Sequence, residues 1–531
     1  MSPSRGALVA GAAVTAVAAV TLTVVVWPDG SGSGPRNGAA SSSSASASPS
    51  PTRSYPLSTA PRTIPAVREH TPARGPGWKP SGDSGVVAAD PQLTDEAQLL
   101  AKELKIRYRG ETAARAGDVE LALGTPGRGA PESYTLKAEG GRVTISGPDE
   151  AGVFYGTRTL RQSLNADGTM PEGVVRDAPD RPQRGLNLDI ARKHYSAAWI
   201  EDRLREMADL KLNQLGLHFS DDQAFRIESD SHPEVVSAEH LTKAEVRRIL
   251  KLAASLHITV VGEIDSPGHL GAVLRAHPDL QLRNTQGTPR QGAIDISKPE
   301  AARIVDDLLR EYTELFPGRW FHVGADEYQA LTVSSPQASY PQLAAAAREK
   351  YGSGATVQDL AEGWLNDRAA VVRDARKIPK AWNDGFFTGG TVTADQGIEV
   401  EYWTGKEIGA RPPQEYLAEG RKVINLNDEY LYYVLGQPND FVYPTGQRIY
   451  EQWTPLVLRG TQPVAARYSK QILGGRFAVW GDFPNAQTPQ QVADGIRMPL
   501  NAISQKLWDP RKPKLSWAQF TQLADSTASS G

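Results

Sequence analysis

The chain has 531 residues, room for about three average units, and its 40% hydrophobic and 22% charged residues are the proportions of globular protein. Lys and Arg number 58 against 61 Asp and Glu, a net charge of −3, which argues against a nucleic-acid binder working through bulk charge. There is no cysteine, which excludes a disulfide scaffold, a thiolate nucleophile, a lipidated cysteine anchor and any cysteine-ligated zinc or iron–sulfur centre.

Behind Arg5, residues 7–27 are uncharged and mostly apolar. The stretch is long for a secretory h-region and close to the about 20 residues that span a bilayer. Residues 1–29 are therefore expected to be a signal peptide or an N-terminal membrane anchor, with 7–27 as the tether in the second case. Both place the rest outside the cytoplasm, secreted or anchored. Residues 30–63, rich in Ser, Ala and Pro, have little to bury and are expected to form a disordered linker.

Residues 64–179 mix helical and strand patterns. Thr94 is placed to cap a helix reaching Leu104, residues 119–123 and 143–146 read as strands, and residues 149–164 read as a helix carrying Val153, Tyr155 and Leu160. This suits a small α+β domain without a cluster of catalytic residue types.

From 180 to 525 strand and helix alternate. Candidate strands are 186–190, 214–219, 258–263, 320–324, 379–382, 398–402, 422–426 and 477–480. Ser196 caps a helix with Ile200, Leu204 and Met207 on one face, Thr242 and Glu245 make a capping box, and Ser297-x-Pro299 opens another helix. Eight βα units predict a (β/α)8 TIM barrel preceded by the small α+β domain. A doubly wound nucleotide-binding sheet lacks its fingerprint, since no G-x-G-x-x-G follows a strand.

In such a barrel the chemistry sits at the C-terminal strand ends. Those ends carry Asp189, Arg192, His218, Asp221, Asp222, Glu263, Asp265, His269, Asp326, Glu327, Trp382, Asp384, Tyr402, Trp403, Asn425, Tyr430, Trp480 and Asp482. Flat indole and phenol faces suit the C–H face of a sugar ring, and carboxylates accept hydrogen bonds from its hydroxyls. Buried aromatics of the barrel mouth would give the same composition. A metal site from His218, Asp221, Asp222, Asp265 and His269 is the rival chemistry, but the two histidines have unlike neighbours and no H-E-x-x-H pair exists, so no metal and no cofactor is expected.

Residues 184–227, EIDSPGH at 263–269 and HVGADE at 322–327 together resemble the family 20 glycoside hydrolases, the β-N-acetylhexosaminidases; GVFYGTRTLRQSL at 152–164 looks like the end of that family's small α+β domain. The resemblance implies hydrolysis of terminal β-linked GlcNAc or GalNAc by a retaining, substrate-assisted route, in which the substrate's own 2-acetamido oxygen attacks the anomeric carbon, an exception to the two-carboxylate rule. Adjacent Asp326 and Glu327 are poorly placed to flank one bond, which fits that exception. The implied roles are Glu327 as general acid and base and Asp326 as the group that orients the acetamido N–H and stabilises its developing positive charge, with one of the two ionised and the other protonated. Arg192 would bind sugar hydroxyls, and Asp221 and His269 would support the acid. Tyr430 would hold the acetamido oxygen, and Trp364, Trp382 and Trp480 would wall the pocket.

Two positions depart from the family pattern. Tyr432 stands where Tyr-Leu-Asp has its aspartate, and Asp482 stands where Gly-Glu has its glutamate. Sugar selectivity is therefore open. The expected partner is an oligosaccharide or glycoconjugate, with a disaccharide-releasing or 6-substituted-sugar glycosidase as one alternative and a non-catalytic glycan-binding surface protein as another.

Overall fold

The computed structural model describes residues 54–124, 129–406 and 410–528. The apolar stretch 7–27 lies outside them, as do residues 1–53 as a whole. No helix among the described residues is long and apolar enough to cross a membrane.

The N-terminal domain is a seven-stranded mixed sheet in the order Glu69–Pro72, Gly173–Asp177, Tyr134–Glu139, Arg142–Gly147, Val119–Leu123, Gly85–Ala88 and Arg107–Tyr108. Helices Thr94–Leu104 and Glu150–Asp167 cover it. Asp149 caps the second by accepting from Gly152 N at 2.8 Å, a contact worth about 1 kcal/mol. Thr94 does not cap the first: it is already helical, and its hydroxyl turns back to the Pro91 carbonyl at 2.8 Å.

The expected linker is shorter than its composition suggests. Leu57 pairs with Arg74, the Ser58 hydroxyl bonds the Glu172 carbonyl at 2.5 Å, and Thr63 is buried. Residues 54–63 have few apolar side chains, so they dock through backbone and hydroxyl groups that composition does not register.

Eight parallel strands then close into a barrel: β1 Gln183–Asp189, β2 Gln214–His218, β3 Thr259–Ser266, β4 Trp320–Gly324, β5 Ile378–Trp382, β6 Glu399–Tyr402, β7 Val423–Asn425 and β8 Ile472–Trp480. Closure runs through Val423–Ile472 on one side of β8 and Gly474–Gln183 on the other. A further short strand, Tyr432–Val434, pairs in parallel with the end of β8. The surrounding helices start where sequence chemistry says: Ser196 accepts from Trp199 N, Thr242 and Glu245 form their reciprocal box, and Pro299 takes the first helical position. Lys298 rather than Ser297 is the cap residue there, because the Ser297 hydroxyl is held by Asp295 at 2.5 Å.

The barrel interior is charged, not apolar. Lys380 meets Glu399 at 2.9 Å and Glu401 at 3.3 Å, and Arg476 meets Glu401 at 2.9 Å, all buried. Each ion is costly to bury alone, so they stand or fall as a lattice. The junction of the two domains is built the same way. Lys211, fully buried under Trp508 at 4.5 Å, donates to Tyr134 and Thr159. Its burial, only partly offset by Asp177, pushes it down to about 8.

Candidate active site

The rim of the barrel is organised around the end of β4. Gly324 is at φ +73°, and a Cβ there would overlap the Asp265 carboxylate, so only glycine fits. Ala325 and Glu327 follow at φ +83° and +48°, unusual for non-glycine residues. Neighbouring carboxylates hold this turn: Ala325 N donates to Asp265 at 3.1 Å and Glu327 N to Asp384 at 3.0 Å. Strain of this kind persists only where surrounding contacts over-determine it, and it concentrates at functional sites.

The turn delivers both acids to one imidazole. His269, itself at φ +55°, places Nε2 3.2 Å from Glu327 Oε2 and 3.6 Å from Asp326 Oδ2. Its Nδ1 faces Asp221 Oδ1 at 3.3 Å. The other oxygen of Asp221 meets Arg192 at 2.7 Å and accepts from His218 Nε2 at 2.8 Å. Arg192 is braced from behind by Asp189 at 3.1 Å, which also accepts from Gly481 N at 2.9 Å.

A cavity of about 550 Å3 opens over these groups. It is lined by Arg192, His269, Asp326, Glu327, Trp382 and Trp480, and further by Trp403, Tyr432, Val434, Phe441, Val442 and Arg448. Trp403, Tyr432 and Phe441 stack in near-parallel, with centroids 5.6 and 6.2 Å apart. The Trp382 indole donates to Glu263 at 2.8 Å, which fixes the plane of that wall.

Protonation follows from burial and charge. Burial alone would lower His269, but the charges of Asp221 and Asp326 and its contact with Glu327 hold it well above the usual imidazole value. Burial and the Asp326 charge push Asp265 and Asp384 well above the carboxylate range. Burial raises Asp326 as well, while His269 and the hydrogen bond from Asp265 work against it, so Asp326 is the member of this trio nearest ionisation. The His269 contact pulls Glu327 below its ordinary value against burial. The contact thus favours the proton on the imidazole over Glu327. Burial and the Asp326 charge keep the Tyr432 phenol protonated, a hydrogen-bond donor.

Two donor groups at the rim, His218–Glu263–Asp265 and Asp265–His269–Asp326, are close enough to hold an ion. An ion there would have to displace protons from these histidines. His218 sits between Asp221 and Glu263, whose charges outweigh burial and push it up to about 10, so both its nitrogens carry protons. His269 is likewise raised. A third group, His232–Glu234–His277, is not among the residues lining the cavity.

The fold gathers Asp326, Glu327, Arg192, Asp221, His269, Trp382, Trp480, Asp482 and Tyr432 in or directly under one cavity. Two expected residues are elsewhere. Tyr430 is buried under Arg448, 4.3 Å from its guanidinium, and does not line the cavity. Tyr432 takes the place expected for it, because the short strand begins at 432 and its alternation points Tyr432 and Val434 inward. Tyr432 and Val434, rather than Tyr430, therefore line the cavity. Trp364 is one layer back, donating to the Ser266 hydroxyl at 3.0 Å. Phe441, Val442 and Arg448 carry no signal in sequence; they lie on a connection and a helix after an irregular short strand, with no strand end to mark them.

The model of the glycosyl hydrolase family 20 catalytic domain matches residues 182–511, and that of the family's domain 2 matches residues 60–178. The chain belongs to glycosyl hydrolase family 20. Among family 20 relatives, it is 30% identical to a lacto-N-biosidase of Bifidobacterium bifidum over 86% of this chain and 41% of that protein. It is 28% identical to a β-N-acetylhexosaminidase of Cellulomonas fimi over 62% of this chain and 63% of that one. It thus spans less than two thirds of either relative's length. A family 20 exo-β-N-acetylglucosaminidase of Vibrio harveyi, solved with N-acetylglucosamine, superposes with a TM-score of 0.72 at 20% identity, covering 90% of this chain and 79% of that one.

Proposed function

We propose that this family 20 chain is a retaining exo-β-N-acetylhexosaminidase that hydrolyses terminal GlcNAc or GalNAc through an oxazolinium intermediate. The observation that carries the reading is the convergence of Asp326 and Glu327 on His269 inside an aromatic-walled cavity. The acetamido oxygen attacks the anomeric carbon while the glycosidic bond breaks and Glu327 gives a proton to the leaving oxygen. Asp326 accepts from the acetamido N–H as that nitrogen gains positive charge, and Tyr432 donates to the acetamido oxygen. Water then attacks the anomeric carbon, its bond to the acetamido oxygen breaks to restore the amide, Glu327 takes the water's proton, and the β-anomer leaves.

The free site stores this proton on His269. Engagement of Asp326 by the acetamido N–H removes part of the negative charge that holds the imidazolium, and exclusion of water favours the neutral carboxyl. The proton then resides on Glu327 at 3.2 Å, where it is needed. A panel of nitrophenyl glycosides of GlcNAc, GalNAc, glucose and lacto-N-biose tests the reading. Turnover of the acetamido sugars and none of glucose supports it.

The cavity favours a second reading, release of a disaccharide. Phe441, Val442 and Trp403 add to the wall, Val434 leaves an apolar surface, and the lacto-N-biosidase matches most of this chain. Turnover of the lacto-N-biose glycoside in one step, with intact disaccharide as product, separates it from stepwise removal.

We further propose that the catalytic unit works outside the cytoplasm, with residues 7–27 as the exporting or anchoring segment. The mature N-terminus by mass spectrometry, with activity in soluble and membrane fractions, tests this; activity confined to the cytoplasm contradicts it.

A further inference from the structure

Glu263 sits on β3 beneath the cavity, buried, and touches the site at two places that seem unrelated in sequence. Its Oε1 accepts from the Trp382 indole at 2.8 Å, and the same oxygen is 3.1 Å from His218 Nδ1. His218 passes the contact on, since its Nε2 meets Asp221 at 2.8 Å. Asp221 in turn fixes both Arg192, at 2.7 Å, and His269, at 3.3 Å. Sugar wall, hydroxyl-binding arginine and acid-supporting imidazole thus hang from one carboxylate.

We propose that Glu263 is a positioning residue that couples the sugar wall to the acid, through Trp382 on one side and through His218 and Asp221 on the other. The inference rests on the hydrolase reading for its consequence, though not for its geometry. Removing Glu263 takes away the anion that keeps His218 charged between β2 and β3. A neutral His218 holds Asp221 less firmly, so His269 and Arg192 lose a fixed reference while the indole still finds an acceptor in an amide.

The groups that decide His218 are few. Asp221 faces it from its own loop, Glu263 from β3, and the edge of Trp480 from β8, with ring centroids 5.2 Å apart. Glu263 also faces His322 on β4 at 3.5 Å. The two carboxylates outweigh burial and push His218 up to about 10, while His218 and His322 outweigh it at Glu263 and bring that carboxyl down to about 2.

The test is Glu263→Gln, with His218→Gln as a second variant that keeps a donor toward Asp221 and removes the cation. For Glu263→Gln we expect kcat on an alkyl glycoside to fall about tenfold more than on a nitrophenyl glycoside. We also expect the alkaline limb of kcat/KM to move about one unit to lower pH, as His218 now titrates in the working range. His218→Gln should show the same leaving-group effect with no such limb. Equal losses on both leaving groups and an unmoved limb would reduce Glu263 to structural support and overturn the proposal. Histidine-selective nitrogen NMR judges the coupling without activity: His218 should stay doubly protonated through pH 8 in the wild type and titrate below it in Glu263→Gln. A His218 that titrates alike in both overturns the proposal. A wild type inert on every acetamido glycoside overturns the hydrolase reading instead.

Discussion

His269 Nε2 lies 3.2 Å from Glu327 Oε2, with the other ring nitrogen turned to Asp221 at 3.3 Å. This contact decides where the resting proton sits. A carboxylate beside an imidazolium stays ionised. In the proposed mechanism Asp326 has two duties: it receives the acetamido N–H, and by doing so it releases the imidazole proton toward Glu327.

Glu327→Gln should retain fold and ligand binding while losing general acid–base help, about 10²–10⁴-fold in kcat. The loss should shrink for nitrophenyl leaving groups, which need little protonation. Measuring kcat on a nitrophenyl and an alkyl GlcNAc glycoside checks this, and equal losses would remove Glu327 from the acid's role.

Tyr432 and Tyr430 separate cleanly by mutation. Tyr432→Phe deletes a phenol of the cavity wall that lies in the field of Asp326, and should lower kcat/KM on GlcNAc glycosides about ten- to a hundredfold, the value of one hydrogen bond to a charged partner. Tyr430→Phe should change it by less than about threefold, since that ring packs under Arg448 outside the cavity. The reverse ranking would restore the register suggested by Tyr430-Leu431-Tyr432.

The apolar wall predicts selectivity. Phe441→Ala with Val442→Ser should lower kcat/KM on a lacto-N-biose glycoside by about 1–3 kcal/mol relative to the GlcNAc glycoside, the scale of one or two pocket contacts. An unchanged ratio would confine recognition to the rest of the cavity.

Stability should fall between pH 6.5 and 8. His218, pushed up to about 10, and His269, well above 6.5, are charged in the folded protein but lose their protons in the unfolded chain through this window. A raised folded pKa contributes stability that is full below the unfolded value and is lost as pH climbs toward the folded one, about 1 kcal/mol per pH unit per imidazole. Above pH 8 the buried Lys211, lowered to about 8, begins to act in the opposite sense. Urea midpoints at pH 6.5, 7.2 and 8 measure the slope, to which Asp265 and Asp384, held well above the carboxylate range in the fold, add in the same direction. His218→Gln should flatten it, and an identical slope in that variant would show that His218 is not held charged.

Much of the fold could be read from the chain because its signals are local. Thr242 and Glu245 announce a helix start, residues 320–324 match β4 to the residue, and a strand run followed by Asp326-Glu327 marks a barrel rim. What was hidden depends on contacts between distant segments. Lys380, Glu399 and Arg476 carry no local mark of burial, yet they pair across the barrel interior. The docking of residues 54–63 runs through backbone groups. Tyr430 was expected in the cavity wall, but Tyr432 lines it: the two share strand parity, and the short strand starts only at 432. The proton on His269 depends on three carboxylates from two loops, which no local pattern reports.

The account rests on the substrate's acetamido group acting as nucleophile, and the anomeric configuration of the first product tests that most directly. Proton NMR during hydrolysis of a β-GlcNAc glycoside, with mass spectrometry of the rapidly quenched enzyme, should show the β-anomer appearing first and unmodified protein. The α-anomer as first product, or a glycosyl ester trapped on Asp326 or Glu327, would contradict it.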